Sequence, residues 1–440
     1  MRRITVHLVA LLSLLVLAGC QPNISAPGTS AAAPRPTVSP TPAPVQVNLY
    51  ALSDNAVVAL NPADGSVRWQ HRLTRVADFP IETFQAVQDT IFIQASQTLT
   101  ALDSSDGKER WHISDYGFVS AANGTALAFI STTLSGLRIV DGKRLWSFPT
   151  DQGSVSARIA GDVVYVTNVW LPDSTLYALD VRDGKERWHF QQTDPMDVQA
   201  VSQESVYLTL EPPGGAANTL LALNQSNGQE RWRLPSPNTD FFRGTTEVNG
   251  VVYVALNGRD NNGCTESPMT DPPGTLLALS ASDGKTLWHS HPSKAGLAYV
   301  QPAGDQSAVY SADQQSGYAF NMADGQQLWS SHILQSSDAA RTAIAQPIIT
   351  GSLVYLSVAF CGLAQTVPVS FWALDKSDGH VVWHYQGVQR HDNQTAPLVL
   401  NGVVYVTTAT GGVEALNGSD GKRLWQDDTM YLTHLVSNAG

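Results

Sequence analysis

Apolar and polar residues alternate in short runs along most of this chain, and helical spacing is nearly absent beyond the first twenty residues. Runs such as Leu176-Tyr-Ala-Leu-Asp180 alternate as half-buried strands do, and Val163-Val-Tyr-Val-Thr167, Val251-Val-Tyr-Val254 and Val403-Val-Tyr-Val-Thr407 are β-branched and aromatic. Shorter runs ending in a turn, such as Leu398-Val-Leu-Asn-Gly402, precede them. A fixed phrase punctuates the pattern: Ala-Leu-(Asp/Asn)-x-x-Asp-Gly-x-x-x-Trp. Its glycines are Gly65, Gly107, Gly142, Gly184, Gly228, Gly284, Gly325, Gly379 and Gly421, and each has a tryptophan four residues on: Trp69, Trp111, Trp146, Trp188, Trp232, Trp288, Trp329, Trp383 and Trp425. Most successive tryptophans lie 41 to 44 residues apart. That is enough chain for four short antiparallel strands, and a strand-type repeat of this period predicts an all-β propeller.

We label the strands of a blade A to D from the axis outward, and number the blades by motif copy. The Asp-Gly pair then forms the C–D turn, with glycine supplying positive φ and the preceding Asp (Asn227 in one copy) capping nearby amides. The tryptophan on strand D is expected to pack across to the next blade, with the motif's Ala leaving room for it. The N-terminal copy, Asn48–Ser53 and Ala56–Asn61, supplies strands B, C and D without an A, and Tyr431–Gly440 reads as a lone A. Pairing them closes the ring and removes an open edge. In blade three, Leu137-Arg-Ile-Val140 runs into Asp141-Gly142 as a motif two residues short, which leaves eight or nine blades open.

These residues closely resemble the pyrroloquinoline-quinone-like propeller repeat, over residues 47–440. Members of that family usually have eight four-stranded blades. The resemblance raises the question of a quinone-dependent dehydrogenase, whose catalytic members use a vicinal Cys-Cys pair, a Ca²⁺ held by Glu, Asn and Asp, and an Asp base. This chain has three cysteines, none of them adjacent, so those residues have no positions here to land on and no cofactor is expected.

The chain opens with Arg2-Arg3 and an apolar run to Ala18, a signal-peptide pattern, closing in Leu17-Ala-Gly-Cys20. That ending resembles the lipobox of bacterial lipoproteins, which implies removal of residues 1–19 and lipid attachment at Cys20, with anchoring by two or more acyl chains. Residues 20–46, rich in Pro, Ala, Ser and Thr, read as a disordered tether, and 47–440 as one propeller domain. The precursor's net charge is −12; without Arg2 and Arg3 it is −14, from 24 basic and 38 acidic side chains. No Lys/Arg cluster interrupts that balance, which disfavours nucleic acid as a partner.

Candidate chemistry is sparse. Ser-x-x-Lys occurs at Ser105–Lys108, Ser282–Lys285 and Ser419–Lys422, each time on the repeated turn, where a structural role explains it. His112, His189, His289 and His384 each follow a repeat tryptophan, and alternation turns them outward. His289-Ser-His291 and Asp260-Asn-Asn-Gly263 are weak metal candidates, and no metal is assigned. Cys264 and Cys361 form a candidate disulfide, with two free thiols as the alternative. The B–C connections look enlarged in four blades: Asn168–Ser174, Glu211–Asn218, Asn257–Gly274 and Ala359–Ser370. Trp170, outside the motif, is the candidate partner-binding aromatic.

The resulting expectation is a non-enzymatic, monomeric, lipid-anchored scaffold of the bacterial cell envelope that binds other envelope proteins. It is similar in architecture to the propeller lipoprotein of the outer-membrane barrel-assembly machinery. The alternatives are a quinone-dependent dehydrogenase and a small-ligand sensor using the propeller channel.

Overall fold

A computed structural model describes residues 48–437, apart from 54–55, 74–80, 96, 151–153, 171–172, 215–216, 238–239, 258–273, 291–299, 314, 335–341, 361–365, 391–396 and 430–431. The described residues form nine antiparallel sheets and no helix. The protein is a nine-bladed β-propeller. Eight sheets have four strands; the fifth strand of blade eight arises because its strand A is split into Thr342–Ile344 and Ile348–Thr350, both paired with Leu353–Phe360. Blade one is completed from both ends of the chain: Leu49–Ser53 pairs with Ala56–Leu60 on one side and with Leu432–Ser437 on the other.

The repeat explains the blade's interior. In blade four, Val163–Trp170, Asp173–Asp180 and Glu186–Gln192 form strands B, C and D, and Ala178 stands directly opposite Trp188. The same Ala–Trp pair recurs in seven other blades, for example Ala101 with Trp111 and Ala373 with Trp383. A bulge follows this position in every C–D ladder, so the residue before the Trp, Arg187 in blade four, has no partner on strand C. Blade three corrects the expectation of a shortened motif. Gly136 stands opposite Trp146, so Gly136-Leu137-Arg138 occupies the Ala-Leu-Asp positions at full length. A Cβ on Gly136 would lie 2.2 Å from the Trp146 ring, which sits closer to strand C where the Ala is missing.

Between blades the tryptophan does what was expected. An added Cβ at Gly228 would meet the Trp188 ring at 2.4 Å, and at Gly65 the Trp425 ring at 2.7 Å. The same contact recurs at all nine seams, including that between the last blade and the first. These turn glycines have φ near +70°, and the indole occupies the place a side chain would take. Each indole N–H donates to a carbonyl of the adjoining turn, as Trp188 Nε1 does to Gln225 O (3.0 Å) and Trp425 Nε1 to Pro62 O (2.9 Å).

The seam has a second member absent from the motif. Seven blades bury a tyrosine in strand B within about 6 Å of their own tryptophan: Tyr50, Tyr165, Tyr207, Tyr253, Tyr310, Tyr355 and Tyr405. The hydroxyls of Tyr50, Tyr355 and Tyr405 donate to Ser104 O, Gly418 O and Pro62 O, the carbonyls that also accept from Trp69, Trp383 and Trp425. One carbonyl thus holds two aromatic donors from the preceding blade.

Candidate functional site

Antiparallel order sends every B–C turn and every D–A connection to one end of the strands, and the A–B and Asp-Gly turns to the other. The B–C end is where the blades differ. In blades two, five and six, strand C begins three residues before the motif Ala, at Thr98, Thr219 and Thr275. In blade four it begins five residues before, at Asp173, and in blade eight seven residues before, at Thr366. At ~3.3 Å per residue the blade-eight sheet rises about 13 Å further than those of blades two, five and six, and blade four about 7 Å. Strand D follows in blade eight as Val381–Arg390, and Thr342–Ile344 flanks the other side.

This corrects two of the four enlarged loops. Asn168–Trp170 and Asp173–Ser174 pair as a hairpin, with Trp170 opposite Asp173, and Ala359–Phe360 and Thr366–Ser370 are likewise strand. The β-branched and aromatic residues there continue the ladder past the point where Asn, Pro and Ser suggest a loop. Only 171–172 and 361–365 separate those strands. In blade five the described residues 211–214 and 217–218 lie outside the strands, and the blade-six connection follows Asn257. The backbone of Trp170 ends its strand. Cys20, Cys264, Cys361, His291, Asp260 and the Trp170 side chain lie outside the described residues.

The innermost strands carry polar side chains that are committed to neighbouring blades. Arg158 Nη1 donates to Val198 O and Gln199 O, Thr246 Oγ1 to Pro302 O, Gln301 Nε2 to Thr245 O, and Gln346 Nε2 also to Pro302 O. They brace the axis from blade to blade and do not converge on a common ligand. A quinone–calcium centre needs a covering pair of adjacent cysteines, which this sequence lacks, and convergent carboxylates, which the side chains just named do not supply.

The opposite end is regular. Within each turn the Asp before Gly caps the amide two residues on, as Asp183 accepts from Lys185 N (3.1 Å). Strand D adds arginines that sequence reasoning missed: Arg110 reaches Asp89 and Asp103, Arg187 reaches Asp162 and Asp180, and Arg231 reaches Glu204 and Ser205. The signal was an Arg directly before the motif Trp together with an acid in the A–B turn. Hydrogen bonds from Arg182 and Arg187 hold the Asp180 carboxyl well below the usual carboxylate range. His112 and His189 are exposed and pair with Glu109 and Glu186, as outward-facing residues should. His384 stacks on Trp372 at 3.7 Å, and partial burial lowers its pKa.

Known proteins match this organisation. The family described as "Outer membrane protein assembly factor BamB" matches residues 95–261, 216–368 and 363–439. The BamB of Yersinia pestis is 28% identical over 154 residues, which cover 35% of this chain and 36% of that protein. The serine/threonine-protein kinase AfsK of Streptomyces griseus is 28% identical over 168 residues, 35% of this chain and 18% of the kinase. The matches therefore span well under half of these relatives' lengths. Among solved structures, BamB from Moraxella catarrhalis aligns over 77% of this chain and 98% of its own, at 18% identity and a TM-score of 0.49. A quinohemoprotein alcohol dehydrogenase from Comamonas testosteroni aligns over 80% and 69%, at 14% identity and a TM-score of 0.47. With matches over most of its length and the Gly–Trp seam repeated in nine blades, the chain belongs to the family described as outer membrane protein assembly factor BamB, a family of quinoprotein-like β-propeller repeats.

Proposed function

We propose that this protein is a non-enzymatic scaffold of the bacterial cell envelope, anchored by lipid on Cys20 and binding other envelope proteins through the B–C face of its propeller. The observation that carries this reading is the allocation of polar groups. The Asp-Gly-Trp chemistry is spent on seams, and the polar side chains cited on the innermost strands are spent on main-chain carbonyls. What varies from blade to blade is the B–C end, raised in blades four and eight. Rigid scaffolds present binding surfaces on such variable segments. The family's description as an assembly factor supports a role in bringing proteins together. Residues 1–19 serve as a signal peptide in this reading, and residues 20–46 as a tether.

The anchor is tested by fractionation. Cys20→Ser should move the protein from the membrane pellet to the soluble extracytoplasmic fraction. Retention in the pellet without detergent would show that something other than lipid on Cys20 holds it. Binding is tested by cross-linking the native protein in its envelope through a photoreactive residue placed at Asp173 or at Ser377. Adducts from position 173 and none from 377 are expected; the reverse would move the working surface to the turn face.

A further inference from the structure

One Asp-Gly turn differs from its counterparts in a way the fold does not demand. Three turns carry a carboxylate at both ends of the motif: Asp103 and Asp106 in blade two, Asp180 and Asp183 in blade four, Asp375 and Asp378 in blade eight. In blade two the pair is neutralised by Arg110 and Lys108, and in blade four by Arg187, Arg182 and Lys185. In blade eight the arginine position holds Val382 and the lysine position holds His380. Ser377 holds the position of Arg182, and the one lysine in the turn, Lys376, turns its ammonium to Asp305 of blade seven at 2.9 Å. No Lys or Arg pairs with Asp375 or Asp378 among the described residues.

What replaces the cations is an imidazole. One ligand atom from each of Asp375, Asp378 and His380 lies within 4.8 Å of the other two. His380 Nδ1 is 2.6 Å from Asp378 Oδ1. Asp375 Oδ1 accepts from the amide and hydroxyl of Ser377. The turn beneath them is held by Asp375 N to His380 O and Gly379 N to Asp375 O, both 2.9 Å, with Gly379 fixed against Trp329. The donors are therefore set by a rigid backbone rather than gathered on ligand binding.

We propose that this turn is a surface binding site for a first-row divalent transition-metal ion, with Asp375, Asp378 and His380 as protein ligands and water in the remaining positions. Two carboxylates balance a dication. The nitrogen donor favours zinc, nickel or copper over calcium and magnesium, which take oxygen. The ion takes the balancing role that Lys108 and Lys185 play in the sister turns.

The test is isothermal titration of zinc chloride into the full-length, detergent-solubilised protein, beside His380→Lys and Val382→Arg. Both substitutions restore residues that blade four already carries, so the fold is kept; unchanged thermal unfolding without metal checks this. The expectation is a saturable zinc site in the parent that is at least tenfold weaker in each variant, with zinc raising the parent's unfolding temperature and not theirs. No saturable binding in the parent, or equal binding in both variants, would overturn the assignment.

Discussion

The two ends of the strands follow different rules. At the Asp-Gly end, nine turns repeat one solution: a glycine at positive φ beneath a tryptophan from the blade before, and a carbonyl that takes the indole N–H. At the B–C end the strands run to different lengths, from the four-residue Val309–Ala312 strand of blade seven to the ten-residue strands of blade eight. The first end is constrained because it makes every seam, and a fault at any seam opens the ring. The second touches no seam glycine and is free to diverge, and free surface on a rigid support is where recognition can be built.

The sharpest way to break the comparison is to attack a seam. Trp188→Ala removes a buried indole, its bond to Gln225 O and its packing on Gly228, and should cost about 3–5 kcal/mol in denaturant titration. His189→Ala, one residue on and exposed, should stay within about 0.5 kcal/mol. Equal losses would mean strand D does not face as described.

Two glycines sharpen the point with backbone conformation held constant. Gly184 and Gly161 have φ of +68° and +60°, but a Cβ at Gly184 would meet the Trp146 ring at 2.6 Å and at Gly161 would meet nothing within 4 Å. Alanine at Gly161 should cost only the left-handed penalty of ~1–2 kcal/mol, and at Gly184 clearly more. Tyr50→Phe, which deletes one of the two donors on Ser104 O, should cost about 1 kcal/mol.

The smallest effect is a pH slope. Asp313, fully buried in the B–C turn of blade seven, accepts from the amides of Gln315 and Ser316 and from the Tyr318 hydroxyl, with His332 nearby. Burial raises its pKa above the ordinary carboxylate value despite those bonds. A raised folded-state value means stability is fully present below about pH 3.9 and is lost as pH rises through the folded value. Asp313→Asn should flatten that part of the profile in thermal unfolding measured from pH 4 to 7; an unchanged profile would show that Asp313 titrates normally.

Much of the fold was legible because the seam is written in residues with few substitutes. Only glycine fits beneath the indole, so Gly and Trp mark all nine blades, and the missing strand A at one end matched the lone strand at the other. Blade three was misread because Gly136 replaces the Ala that anchors the register and Arg138 replaces the Asp. The tyrosines were visible in the Val-Val-Tyr-Val runs, but their shared acceptor lies in the next blade, 54 residues away for Tyr50 and 63 for Tyr355, where strand patterning carries no information. The raised hairpins of blades four and eight were hidden by Asn, Pro and Ser, which ended the apparent strand before the ladder ended. The blade-eight cluster was hidden for a different reason: each of its residues sits in the repeat, and only comparison with the paired turns of blades two and four exposes the exchange of cations for an imidazole.

The central claim is that one end of the propeller builds the ring and the other does the binding. The most direct measurement compares co-purification of envelope proteins with two variants of the anchored protein, each first shown to unfold at the parent's temperature. One lacks 261–272 in the B–C connection of blade six; the other carries Lys185→Gln and Lys285→Gln on the Asp-Gly face. The account predicts that proteins captured by the parent are lost with the deletion and kept with the double substitution. Capture unaffected by the deletion and abolished by the substitutions would contradict it.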